Sequence, residues 1–458
     1  MGTQTSGVAP PLSKRKAVTA ITVGNALEFY DFTVYGFMTS IIGRIFFPSL
    51  SPYAQLLLAV ASFGVGFLAR PLGGVVIGAY ADRHGRKKAM GLTIGLMALG
   101  CAMIAAAPTP AQIGLAAPAI IVLARLIQGF SAGGEVGAST AMLVEYAGRN
   151  ERAFMASWQV ASQGMGVMFG ALVSSTVISV LAPADLESWG WRLPFVLGIL
   201  IAPVGMYIRT RLHETHVDAP KPSVSGGTGE IGESGGKIGL LLRHHWKQLI
   251  QASLLFLSCT VGIYVVAFYM PTYAARELGL PVQVGIWAGV VFGIVNLLVA
   301  PLSGLLADWL RRKPVIFWSR VVLLLLVFPC FHWLLAAPSP GRLYVVVGLL
   351  SVCLTSQFPA LLVMLTEIFP KHVRASGLST VYSVVVAVFS GFSPFVLTWL
   401  VHETADKLAP AWYLVAVTVV STLVMPWLVD RTGEDLDAES PKEAPPRVRS
   451  AMPVGSFK

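Results

Sequence analysis

Charge is scarce in this chain. Of 458 residues only 12% are Asp, Glu, Lys or Arg, whereas 55% are hydrophobic. A soluble domain carries about a quarter charged residues, so a water-soluble globular protein is excluded. Cysteine is scarcer still. The four cysteines, Cys101, Cys259, Cys330 and Cys353, all fall inside apolar segments. They read as small hydrophobes, not as disulfide partners or metal ligands. The sequence has no metal-ligand cluster, nucleophile motif or nucleotide-binding loop, which argues against an enzyme. A cleavable signal peptide is not expected, because the start is polar and the first apolar run is too long for one. The net charge of +10 is not a nucleic-acid signal. The basic residues stand in short runs between apolar segments, where they set topology.

What the chain has instead is a series of long apolar segments. About 20 apolar residues suffice to cross a bilayer. Candidate helices run over 18–42, 53–79, 88–107, 113–143, 153–180, 193–210, 248–273, 284–306, 314–336, 342–368, 375–400 and 411–429. Alternate loops carry the positive charge: Arg83, Arg86, Lys87 and Lys88; Arg149 and Arg152; Arg311, Arg312 and Lys313; Lys371 and Arg374. The positive-inside rule puts those loops and both termini in the cytoplasm. The fold class expected is an all-α polytopic membrane protein, with twelve helices in two six-helix bundles. The division expected is a cytoplasmic segment 1–17, a bundle 18–211, a Gly/Ser-rich linker 212–247, a bundle 248–430 and a disordered tail 431–458.

The two bundles repeat. Gly78-Ala79-Tyr80-Ala81-Asp82-Arg83-His84-Gly85-Arg86-Lys87 follows helix two, and Gly304-Leu305-Leu306-Ala307-Asp308-Trp309-Leu310-Arg311-Arg312-Lys313 follows helix eight. Gly, Ala, Asp, Arg and Lys recur at the same offsets, but Arg311 stands where the first copy has Gly85. Glu145 with Arg152, and Glu367 with Arg374, form a second repeated pair. Two copies in the same internal order imply parallel halves. Asp82 is placed to cap helix three and oppose its positive dipole end.

Within the first apolar segment stand two carboxylates, Glu28 and Asp31. A charge at the centre of a lone membrane helix costs about 2.5–3.5 kcal/mol on insertion scales. Gly24, Glu28, Asp31 and Tyr35 share one helical face. Arg70 and Arg125 also fall near mid-membrane, as a rise of about 1.5 Å per residue shows. The economical arrangement pairs these acids and arginines around one polar site. Guanidinium stays charged and grips carboxylates bidentately, so an anionic substrate is expected. Gln128 and Glu135 share the face of Arg125. Gln159 and Gln163, one turn apart in helix five, are expected to donate amide hydrogens to the substrate. Tyr35, Tyr264, Asn296, Gln357 and Tyr382 are expected to complete its surroundings. Proton coupling needs a carboxyl group that titrates between states. Glu28, Asp31 and Glu135 are the candidates.

On these residues the chain resembles the major facilitator superfamily, whose signature is the Gly-x-x-x-Asp-x-x-Gly-Arg-Lys loop after helix two. The resemblance implies that this loop latches the halves together in one state of the transport cycle. Gly78, Asp82, Arg86, Asp308, Arg312, Glu145, Arg152, Glu367 and Arg374 are then gating residues. More narrowly, the chain resembles the metabolite:proton symporter family. The matching stretches are Gly24-Asn25-x-x-Glu28-x-x-Asp31-Phe32, Phe67-Leu68-x-Arg70-Pro71-x-Gly73, Arg125-Leu126-x-Gln128-Gly129-Phe130-Ser131 and Trp189-Gly190-Trp191-Arg192-x-Pro194-Phe195. Glu187-Ser188-Trp189, Ser157-Trp158-Gln159 and Pro271-Thr272-Tyr273 resemble the citrate and tricarballylate branch. Gly134-Glu135-Val136-Gly137 and Val144-Glu145-Tyr146 resemble the wider family. The resemblance implies a symporter that imports citrate or a related di- or tricarboxylate with protons, by alternating access. Symport of proline and betaine, shikimate or 2-oxoglutarate is the alternative, and a non-transporting nutrient sensor a remoter one. No cofactor beyond the coupling proton is implied. The expected partners are a small organic anion and the lipid bilayer of the bacterial cytoplasmic (inner) membrane, with no nucleic acid, and the chain is expected to act as a monomer.

Overall fold

The computed structural model describes residues 14–84, 86–133, 139–140, 143–144, 147–200, 203, 241, 243–370 and 373–434. Among these, twelve principal helices can be followed, the sixth only over Gly190–Leu200. In chain order they are α1 (Lys14–Phe46), α2 (Pro52–Gly78), α3 (Arg86–Ala105), α4 (Ala116–Ala132), α5 (Arg152–Val180) and α6 (Gly190–Leu200). The second set is α7 (Trp246–Arg276), α8 (Val282–Leu310), α9 (Arg312–Ala336), α10 (Pro340–Ile368), α11 (Ser376–Thr404) and α12 (Ala409–Trp427). Eight of them are long and apolar enough to cross a membrane on composition alone. The helix α1 is 33 residues long but carries Glu28 and Asp31 at its middle. The expected linker lies almost wholly outside the described residues. Residues 431–434 of the expected tail are described, and they pack on the body.

Exposed apolar side chains such as Leu72, Val76, Leu123, Phe169, Leu298, Leu302, Leu325 and Val388 cover the outer helix faces. In a bilayer that surface meets acyl chains, so exposure carries no hydrophobic penalty. The helices instead hold together through close packing and internal hydrogen bonds. The α2–α4 crossing shows it. A Cβ on Gly129 would overlap the carbonyl of Gly66, so only glycine allows the backbones to meet there. Gly78 belongs to no such crossing: a Cβ there would meet nothing within 4 Å. Gly78 of the loop motif thus has no packing requirement for glycine among the described residues.

Two local breaks position side chains. Pro71 cannot donate a backbone hydrogen bond. The helix is interrupted at Ala69 and restarts at Arg70, in the middle of α2. In α7, residues Tyr264–Tyr269 form a π-helical turn. Such turns reset side-chain direction and cluster at functional sites. Here Tyr264 and Phe268 turn towards Phe63, with ring centroids 6.2 and 5.6 Å away.

The first six helices pack against the last six at several close crossings. Asn296 of α8 lies against Gly164 of α5. Phe268 of α7 stacks on Phe37 of α1, centroids 6.2 Å apart. Gly391 of α11 packs on Phe67 of α2. The halves touch at both membrane faces. On the outer side Arg276 donates to the carbonyl of Pro52 at 2.6 Å, and His402 stacks on Tyr53 at 3.7 Å. On the cytoplasmic side Ser383 donates to the carbonyl of Gly133 at 3.2 Å.

Candidate functional site

The buried charges expected from the sequence converge at mid-membrane. Arg70 Nη2 lies 3.8 Å from Glu28 Oε1, and both side chains are buried. Arg70 also sits over the rings of Phe32 and Phe67, at 4.6 and 4.8 Å. Arg125 donates to Gln128 Oε1 at 2.9 Å and to the carbonyl of Phe63 at 3.4 Å. Its guanidinium rests 4.4 Å above the Tyr35 ring. Cation–π contacts of this kind hold a charge without consuming its N–H donors. Arg70 Nε and Nη1 and Arg125 Nε find no hydrogen-bond acceptor. Such unfilled buried donors cost about 1–3 kcal/mol each. From the other half, Tyr382 pairs with Arg70, and Tyr264 stands in the field of Arg70 and Arg125.

Asp31 differs from the simple pairing expected of it. It faces the Cys101 thiol of α3 and stands in the field of Arg125. Cys101 is thus not the inert small hydrophobe that its apolar segment suggested. Its Sγ accepts from Gln128 Nε2 at 3.1 Å.

Other expected contributors divide by whether their polar atoms are already taken. The Gln159 amide donates to Asn25 Oδ1 at 2.9 Å, and Asn25 Nδ2 donates to Ser162 Oγ at 2.7 Å. Gln159 therefore ties α5 to α1 rather than presenting its amide to a substrate. The Tyr35 hydroxyl is paired with Ser62 at 2.6 Å, so Tyr35 offers its ring and not its oxygen. Asn296 accepts from Thr355 at 2.6 Å and fills the α5–α8 crossing. Gln163 Nε2 and Gln357 Nε2 are buried without a partner. Glu135 and Glu145 lie outside the described residues, and the side chains of Asp82 and Arg86 are outside them too.

A buried arginine that sequence reasoning overlooked stands in α9. Arg320 is fully buried. It donates to Gln357 Oε1 at 2.9 Å and to the carbonyls of Ser421 and Leu255 at 2.7 and 2.6 Å. The signal was available: a charge seven residues past Lys313, inside an apolar run.

The cytoplasmic end holds a second cluster. Asp308 accepts from the backbone N–H groups of Ala153 and Phe154 at 3.0 and 2.8 Å. It caps α5 of the opposite half, not the helix that follows it, which is where the sequence placed the equivalent acid Asp82. Gly304 makes this possible, since a Cβ there would lie 2.7 Å from the Ala153 carbonyl. Glu367 takes Arg312 and, at 3.2 Å, Arg152 of the opposite half. The sequence had grouped Glu367 with Arg374, which donates to the Thr366 carbonyl at 3.1 Å. The chain after α12 joins the cluster. Arg152 also donates to the Glu434 carbonyl at 3.1 Å, and Thr432 accepts from the Arg312 N–H at 3.3 Å.

A charged mid-membrane site between two helical halves that meet at both faces is the arrangement of a membrane carrier. The comparisons agree. The model of the Major Facilitator Superfamily matches residues 21–336 and 275–456. The chain is 35% identical to a citrate-proton symporter of Salmonella typhi, over 88% of this chain and 91% of that protein. It is 32% identical to a proline/betaine transporter of Escherichia coli, over 93% and 86%. A glycine betaine/proline/ectoine/pipecolic acid transporter of Dickeya dadantii is 33% identical over 93% and 85%. The crystal structure of a D-xylose-proton symporter superimposes with a TM-score of 0.72 at 20% identity, covering 92% and 99% of the two chains. The chain belongs to the Major Facilitator Superfamily. It is a multi-pass protein of the cytoplasmic membrane and a transporter, not an enzyme.

Proposed function

We propose that this protein is a proton-coupled symporter that imports a small organic anion, citrate or a related di- or tricarboxylate, acting as a monomer. The observation that carries this reading is the pair of buried arginines with unfilled N–H donors, Arg70 Nε and Nη1 and Arg125 Nε. Carboxylate oxygens are the acceptors that match them in charge and geometry. Gln163 and Gln357 offer further amide donors. A carboxylate substrate on Arg70 competes with Glu28 for the same guanidinium. Loading the substrate then frees Glu28 to take a proton, and releasing it restores the ion pair. Asp31 and Glu135 are the other carboxyl groups available to the coupling proton. No further cofactor is needed. The Asp308 cap and the Glu367 cluster act as the cytoplasmic gate, and Glu145 and Arg374 serve the same role. Asp82 and Arg86 take the same part in the first copy of the loop.

Proline or betaine is the second reading, and the aromatic rings favour it. Phe63, Phe67, Tyr264 and Phe268 form a cluster with neighbouring ring centroids 5.1–6.2 Å apart, and such faces attract an alkylammonium group.

The test is uptake of labelled citrate into proteoliposomes with an imposed inward proton gradient, followed by counterflow with unlabelled acids, proline and betaine. Citrate accumulation that collapses with the gradient is expected. Accumulation of proline or betaine without citrate would replace the first reading with the second.

A further inference from the structure

We infer that the Cys101 thiol is a positioning group, linking Arg125 to Asp31 through Gln128. The inference rests on the symport reading for its role and on geometry for its existence. Three helices supply the link. Arg125 of α4 donates to Gln128 Oε1 at 2.9 Å. The same amide donates through Nε2 to Cys101 Sγ of α3 at 3.1 Å. The thiol in turn faces the Asp31 carboxyl of α1. All four side chains are buried.

The sense of the link is fixed by valence. Gln128 spends its oxygen on Arg125, so only its N–H groups remain for the sulfur. A thiol that accepts from Gln128 keeps its own S–H for Asp31, as a weak donor. Anything that draws Arg125 away from Gln128 lets the amide turn. The thiol and then the carboxyl must follow. A substrate carboxylate arriving at the guanidinium is such an event. Substrate occupancy at Arg125 thereby changes how well the Asp31 anion is solvated.

The surroundings leave Asp31 few alternatives. Cys101 faces it from α3, Arg125 from α4 and Tyr30 from its own helix. The Tyr30 hydroxyl is committed to the Pro194 carbonyl at 2.9 Å. From α6 the carboxyl meets Gly198, where a Cβ would stand 2.6 Å from Oδ1. The other thiols lack this setting. Cys259 leans on the Leu354 carbonyl at 3.7 Å.

The experiment uses the full chain in liposomes. The S–H stretching band of Cys101 is identified by its loss in C101S, and then followed in D31N and Q128L. Both substitutions are expected to shift that band, and neither should shift the bands of Cys259, Cys330 or Cys353. A Cys101 band that ignores D31N overturns the link. A second arm measures uptake against pH. C101A is expected to shift the pH profile by about one unit and lower the accumulation ratio, while substrate exchange at zero gradient persists. C101S restores the wild-type profile, and C353A never departs from it. If the C101A profile matches wild type in a folded protein, the positioning role falls. If the bands respond but the wild-type chain moves no substrate with protons, the link stands and the symport reading falls instead.

Discussion

Each half of this transporter buries an arginine against a glutamine and near a cysteine, and the two arginines live differently. In the second half Arg320 gives its donors to Gln357 and to two backbone carbonyls. It makes no ion pair among the described residues. In the first half Arg125 leans on aromatic faces, keeps Nε without an acceptor and has Asp31 in its field. A satisfied buried charge is scaffold, because every partner it has is permanent. A buried charge with donors to spare is poised for a partner that comes and goes. The first half therefore holds the charged chemistry, and the second gives it a firm wall whose spare donor is Gln357 Nε2.

The largest expected effect comes from removing each arginine in turn. Arg125→Leu is expected to lower uptake by about a hundredfold, the loss of roughly 3 kcal/mol of charge-assisted bonding. It strands Gln128 Oε1, at about 1–3 kcal/mol, but also removes a buried donor that had no acceptor, so its thermal midpoint should fall less than that of an Arg320 variant. Arg320→Leu is expected to do the reverse. It strands Gln357 Oε1 and the Ser421 carbonyl, at about 1–3 kcal/mol each. The Leu255 carbonyl keeps a bond from Ser421 Oγ at 2.7 Å. The yield of folded protein should fall while any folded fraction transports. Paired measurements of melting and uptake decide it. If both variants lose stability equally, the contrast between the halves is wrong.

The cytoplasmic cluster reverses the asymmetry, because there the second half reaches into the first. Glu367 bridges Arg152 and Arg312 in a buried place. Removing one partner of a buried ion pair costs about 3–5 kcal/mol. Glu367→Gln is expected to open the cytoplasmic side, seen as a longer spin-label distance between the halves there. Asp308→Ala removes only a helix cap, worth about 1 kcal/mol. It should shift the same distance distribution by a smaller amount. Equal shifts would mean that the two acids act as one unit.

How much of this was legible in the sequence depends on the kind of signal. Helix number, orientation and the repeat follow from hydropathy, basic loops and offset matching, all of which are local. Glu28, Arg70, Arg125 and Asp31 were visible because a charge in an apolar run has no innocent explanation. Arg320 carried the same signal and was passed over. Uncharged polar groups were harder. Gln159 and Gln163 lie one turn apart and look alike. Only the fold shows that Asn25 takes the first amide and leaves the second. Cys101 was silent for the same reason, since its partners come from α1 and α4. The loop motif announced a latch but not its target, because a cap across the interface of the halves leaves no trace in local spacing.

The two copies of that loop allow one further comparison, with the smallest effect. The first copy has Gly85 where the second has Arg311. Arg311 adopts φ 78° and ψ 152°, a region open essentially to glycine alone and costing about 1–3 kcal/mol for other residues. Arg311→Gly releases that strain. Against it stand the entropy of a freer unfolded chain, up to about 1 kcal/mol, and the loss of a charge near Asp430. That charge counts for little. Burial pushes the Asp430 carboxyl up, but hydrogen bonds from Thr432 and from the Lys313 backbone hold it below the usual carboxylate range, with Arg311 a lesser contributor. The net expectation is a stabilisation of about 1 kcal/mol, read as a rise in melting temperature. Arg311→Lys keeps both strain and charge and should melt with the wild type. Arg312 and Lys313 still mark the loop as cytoplasmic, so orientation is unaffected. A lower melting temperature for Arg311→Gly than for Arg311→Lys would show that the side chain holds the loop more than the backbone strains it.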